Sequence, residues 1–133
     1  MKKITSTEAK ELNNNFVKTR SLAIDNAIGK KDALSSWFSL QELKDYIKYV
    51  EDEGKLKGID ISGLRVYFGA YPEKDKKPSK KNFSTVFFVP TKLKAGSNLK
   101  DGLVVSGDNA DIEVIDGLNG GSLGNPPSAT YPQ

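Results

Sequence analysis

The sequence contains no cysteine and no histidine. Without cysteine there is no disulfide frame, no zinc–thiolate site and no thiol nucleophile. Without histidine, the usual general base near neutral pH and the commonest metal ligand are missing. Ser-His-Asp and Cys-His chemistry are excluded, as are facial-triad iron and ordinary zinc sites. Catalysis would have to run on carboxylates, lysine, tyrosine or chain termini. No run of about 18 apolar residues occurs, so no spanning helix is expected. Met1-Lys2-Lys3-Ile4-Thr5-Ser6 starts basic but leads into no apolar stretch, and no cleaved secretory signal is expected. These absences point to the cytoplasm. A strong charge of one sign is lacking too: 20 Lys and Arg stand against 17 Asp and Glu, for a net charge of +3. The two signs are interspersed, so no single-sign field is implied.

What is present is an ordinary globular composition, 37% hydrophobic and 28% charged over 133 residues, enough for one domain with a real core. The clearest signal is a hairpin. Gly63-Leu64-Arg65-Val66-Tyr67-Phe68-Gly69-Ala70-Tyr71 and Asn82-Phe83-Ser84-Thr85-Val86-Phe87-Phe88-Val89-Pro90-Thr91 read as strands, rich in β-branched and aromatic residues. Between them lies Pro72-Glu73-Lys74-Asp75-Lys76-Lys77-Pro78-Ser79-Lys80-Lys81, a long charged tip. Leu64, Val66, Phe68 and Ala70 share one face of the first strand, with Arg65, Tyr67 and Tyr71 on the other. Neither strand alternates apolar and polar cleanly, so cover on both sheet faces is expected. Phe68 and Phe87 are expected in the core.

Two helices precede the hairpin. Thr5-x-x-Glu8 has capping-box spacing and opens a helix to Ile28, stopped by Gly29. Its stripe is Ala9, Leu12, Phe16, Ala23 and Ala27, widened by Val17, Ile24 and Ile28, with Asn13-Asn14-Asn15 facing solvent. Trp37 and Phe38 are expected to anchor the connector. Ser39-Leu40-Gln41-Glu42 repeats the capping spacing and opens a second helix to about Lys57. Leu40, Leu43, Ile47 and Val50 form its seam, with Tyr46 at the edge and Gly54 and Gly58 at a fraying end. After the hairpin come a turn at Gly96-Ser97-Asn98 and short strand candidates at Leu103-Val104-Val105 and Ile112-Glu113-Val114-Ile115. From Gly117 the chain is rich in Gly and Pro and reads as an extended or flexible tail.

Each functional signal has a plainer explanation beside it. Val66-Tyr67-Phe68-Gly69-Ala70-Tyr71 echoes an aromatic RNA-recognition strand, but two helices come first and the second, Gly-aromatic motif is missing. The lysines of the tip suit a phosphate or an acidic partner, and equally a solvated tip that resists edge-to-edge aggregation. Asp108, Asn109, Asp111 and Glu113 could hold calcium, but their spacing is not that of an EF-hand, and a turn before a strand explains them. The 17 acids offer no preferred pair for glycoside chemistry. Gly117 to Gly124 lacks the ending of a phosphate loop.

The Ser39-x-x-Glu42-capped helix, Leu64-Arg65-Val66-Tyr67-Phe68-Gly69-Ala70-Tyr71-Pro72 and Thr85-Val86-Phe87-Phe88-Val89-Pro90-Thr91 together resemble small uncharacterised bacterial proteins over residues 39–91. The resemblance implies a bacterial cytoplasmic setting and brings no activity, ligand or site.

The sequence therefore predicts a single α+β domain over 1–116: two N-terminal helices packed on a small antiparallel sheet centred on the hairpin. A Gly/Pro-rich tail follows over 117–133. The expected function is a non-enzymatic protein-interaction or self-assembly module, with a protein partner or an oligomer. Its candidate contacts are Arg65, Tyr67, Tyr71, Lys74, Lys76, Lys77, Lys80 and Lys81. The alternative is binding of nucleic acid or another polyanion through the lysine-rich loop and Arg65. A carboxylate hydrolase ranks third. No catalytic residue, cofactor, metal or membrane is expected.

Overall fold

A computed structural model describes residues 1–78, 80–95 and 106–133, in a mixture of helix and sheet. The chain resolves into two compact units. The first comprises Met1–Trp37, Gly69–Thr85 and Gly121–Gln133; the second comprises Phe38–Phe68 and Val86–Gly120. The Gly/Pro-rich segment 117–133 is thus divided at Gly120. The expected turn at Gly96-Ser97-Asn98 and strand at Leu103-Val104-Val105 lie outside the described residues.

The first unit begins with one continuous helical run: α1 (Ser6–Phe16), a π-turn (Val17–Ser21) and α2 (Leu22–Ile28). The capping box forms, with Thr5 Oγ1 accepting from the Glu8 N–H and Glu8 Oε2 accepting from the Thr5 N–H. Gly29 closes the run at φ 73°, a left-handed conformation that costs glycine little. The expected inward stripe holds at Ala9 and Phe16, fails at Leu12, which is 61% exposed, and slips by one residue beyond the π-turn. Ile24 and Ile28 are half-buried while Ala23 and Ala27 are exposed. The wider i→i+5 turn absorbs an extra residue, and this shifts the helical phase. Asn13 is half-buried rather than solvent-facing, and its Oδ1 accepts from the Tyr131 N–H. In the same unit β1 (Ser36–Trp37) pairs antiparallel with β5 (Ser122–Leu123), Ser36 opposite Leu123. Trp37 is 66% exposed, so the expected anchoring role is not met by this ring.

The second unit carries α3 (Leu40–Lys57), capped by Ser39, whose Oγ accepts from the Glu42 N–H. Its sheet orders β2 (Gly63–Ala70), β3 (Ser84–Leu93) and β4 (Asn109–Asp111), and the last residues of β2 and the first of β3 belong to the first unit. In β4, Asp111 lies opposite Thr91 and Asn109 opposite Leu93. Tyr46, Val50, Ile112 and Ile115 form the core, joined by Ile59, Ile61, Leu64, Phe88 and Leu118. The buried face of α3 is therefore Tyr46, Val50 and Gly54, with Leu43 half-buried; Leu40, expected in the seam, is 70% exposed. Gly54 does not fray: a Cβ there would lie 2.8 Å from the Ile59 carbonyl oxygen. A bare Cα lets the chain fold back so closely that the Ile59 N–H donates to the Gly54 carbonyl. Phe68 corrects another expectation. It is 88% exposed and not a core residue, because β2 runs past the stretch that α3 covers.

Candidate functional site

Alternation along β2 sorts the candidate residues of the second unit onto two faces. Leu64 points to the α3 core, so Arg65 and Tyr67 point the other way. There Arg65 Nη1 forms an ion pair with Asp111, and Nη2 donates to the Asn109 carbonyl at 3.1 Å. The Tyr67 hydroxyl donates to the other Asp111 oxygen, and its ring stacks on Phe87 at 5.4 Å between centroids. The Tyr67 hydroxyl first, and Asp111 after it, push the Arg65 guanidinium above its already high range, so it stays a cation. Ser62 Oγ bonds Asn109 Oδ1 and Thr91 Oγ1. A cleft of about 390 Å³ opens over Ser62, Arg65, Thr91 and Asn109. Its carboxylate neighbour Asp111 is engaged by a guanidinium and a phenol. Both contacts use its oxygens as acceptors, which suits fixing strands in register.

On the core-side face of the same strand, Val66 is 50% and Phe68 88% exposed. Next to Leu64 lies a mainly apolar groove of about 290 Å³, walled by Ile47, Val50 and Glu51 of α3 and by Ile61, Ser62 and Leu64. β2 is terminal in the strand order, so among the described residues one of its edges has no strand beside it.

The other candidates stand in the first unit. The loop 71–83 is built of nested turns: the Asp75 and Asn82 N–H groups both donate to the Pro72 carbonyl, and the Tyr71 N–H donates to the Phe83 carbonyl. Lys80 sits over the Tyr71 ring, its ammonium 5.0 Å from the centroid. Lys30 sits over Phe83 at 3.8 Å and donates to the Lys81 carbonyl. Lys74, Lys76, Lys77 and Lys81 are exposed, and among the described residues none of their ammonium groups meets a carboxylate. At the loop's base Asp32, only 2% exposed, accepts from both the backbone N–H and the hydroxyl of Ser84.

The structure thus brings Arg65 and Tyr67 together in one unit, and Tyr71 and Lys80 together in the other. Sequence reading missed Asp111 as the partner of Arg65, and Lys30 and Asp32 as supports of the loop. Asp111 and Asn109 drew notice only as calcium candidates; both are committed to Arg65, Tyr67 or Ser62. Among the described residues no three acids stand together to hold a metal ion, and no helix is long and apolar enough to cross a membrane. No protein-family model, curated protein or solved structure matches the chain, so the resemblance over residues 39–91 gains no support.

Proposed function

We propose that this protein is a non-enzymatic interaction module that binds protein through the outer edge of β2, as a self-assembling subunit or an accessory partner. The observation that carries the reading is Phe68, an aromatic side chain 88% exposed on a terminal strand beside an exposed Val66. Soluble chains usually blunt such edges with lysine or proline, and Gly63–Ala70 contains neither. Unblunted edges with exposed aromatic residues serve strand addition, where main-chain bonds give affinity and side chains give choice of partner. The absence of histidine and cysteine lowers the case for catalysis further.

The test compares the immobilised wild-type chain with Phe68→Asp for retention of cellular proteins and of the chain itself. Binding should fall by at least roughly tenfold in the variant, as for a central aromatic contact. Equal retention by both chains sinks the reading. At concentrations where the wild-type chain is monomeric the melting temperature should not change, because an exposed ring contributes little to the core.

A second reading is favoured by Lys74, Lys76, Lys77 and Lys81, whose ammonium groups meet no carboxylate among the described residues. Nucleic acid or another polyanion would be held there by phosphate contacts. Retention falling steeply with salt, about 0.7–0.9 of a log unit per log unit of salt for each contact, favours the polyanion. Retention that tracks Phe68 and ignores salt favours protein.

A further inference from the structure

The edge of β2, the protruding Phe68 and the apolar groove beside Leu64 all belong to the second unit. We propose that β2 pairs with β2 of a second copy of this chain, antiparallel about Val66, and that each copy seats its Phe68 in the groove of the other. This rests on the interaction reading above and names its partner.

The register follows from the residues. Antiparallel pairing about Val66 sets Val66 against Val66, Leu64 against Phe68 and Arg65 against Tyr67. Residues directly opposite in an antiparallel pair point to the same sheet face. Phe68 of one copy therefore arrives on the α3 side of the other, over Leu64, where Ile47, Val50 and Ile61 wall the groove. An exposed ring meets an apolar recess twice, as a two-fold interface requires. The neighbouring registers are worse. Pairing about Arg65 opposes two guanidinium groups. Pairing about Tyr67 sets Phe68 against Val66 and leaves the groove empty. A one-residue slip turns the apolar face of one strand against the polar face of the other.

Charge agrees with the same register. Arg65 is the one charged residue of β2, and Asp111 of its own chain already compensates it. Its counterpart across the pair is Tyr67, whose hydroxyl bonds that same type of carboxylate. Tyr67 carries no charge, so this register opposes no like charges across the seam. The strand is short, so the pair is expected at the weak end of specific association, with dissociation in the micromolar range.

The chain's lack of cysteine makes the test clean. In the proposed register two Val66→Cys residues face each other with Cβ atoms about 5 Å apart, close to disulfide reach. Val66→Cys should oxidise to a covalent dimer at least roughly tenfold faster than a control cysteine at the exposed loop position Glu73. The wild-type chain should shift from monomer to dimer by light scattering as its concentration rises, and Phe68→Asp should abolish both the shift and the cross-link. The self-pairing is overturned if the wild-type chain is monomeric up to about 1 mM, or if Val66→Cys links no faster than the control. If it is overturned while Phe68→Asp still abolishes retention of another protein, the interaction reading stands. If Phe68→Asp changes nothing in either experiment, both fall.

Discussion

Tyr46 binds distant parts of the second unit through one hydroxyl group. Its ring is buried, and its O–H donates to the Asp116 carbonyl at 3.0 Å, with the Phe88 carbonyl at 3.5 Å. Burial first, then the neighbouring Tyr49 and Asp116, raise the phenol above its ordinary value. The sign follows directly. A raised folded-state value means the protonated phenol is favoured by folding, so its contribution is full below about pH 10, the ordinary tyrosine value. It is lost as pH rises through the higher folded value. Wild-type stability should therefore decline above pH ~10 more steeply than that of Tyr46→Phe, which has no proton to lose there. At neutral pH the variant should be weaker by about 1 kcal/mol for the missing hydrogen bond. Urea unfolding of both chains across that range measures it; parallel pH profiles would show that the phenol is not buried in solution.

At the scale of elements, α3 is held by Gly54. An exposed helical glycine replaced by alanine gains about 1 kcal/mol in propensity. Here the new methyl group would meet the Ile59 carbonyl oxygen at 2.8 Å and the Ile61 side chain at 2.9 Å. Overpacking should win, and Gly54→Ala should lose roughly 1–3 kcal/mol by denaturant unfolding. A gain instead would mean that the chain after α3 does not fold back so closely. The helix ends were legible in the sequence because caps are local: Thr5 with Glu8, Ser39 with Glu42, Gly29 and Gly58. The helix faces were less so. Tyr46 displaces Leu40 and Ile47 from the seam because its hydroxyl finds a carbonyl 70 residues away. The one-residue slip after Phe16 comes from a π-turn that no periodicity announces. The same distance hid the site. Arg65 reads as a free cation until Asp111, 46 residues later, is placed beside it. Phe68 reads as core because alternation reports a face and not how far the covering helix reaches.

For the whole molecule, the last 13 residues belong to the first unit, with β1, the loop 71–83 and the first helical run. Leu34 donates its N–H to the Pro127 carbonyl, β1 pairs with β5, and the Gln133 amide reaches Ser35 Oγ. Truncation after Gly120 removes all three links. Amide exchange at Leu34 should then accelerate by at least roughly tenfold, the effect of losing about 1.4 kcal/mol of local protection. Amides around Val50 and Ile112, in the other unit, should keep their protection. Unchanged exchange at Leu34 would mean that the C-terminal segment leaves the first unit in solution.

The interleaving of the two units also bears on how the chain is made. A ribosome delivers residues in order, and the first unit lacks its closing strand until Ser122 and Leu123 have emerged. The second lacks Ile112, Ile115 and Leu118 for almost as long. Neither can finish while the other is still being translated, so Val50, Leu64 and Phe88 stay uncovered until Ile112, Ile115 and Leu118 have emerged. Closure of each unit waits on residues distant in the chain, and until they emerge the nascent polypeptide exposes apolar surface of the kind that aggregates.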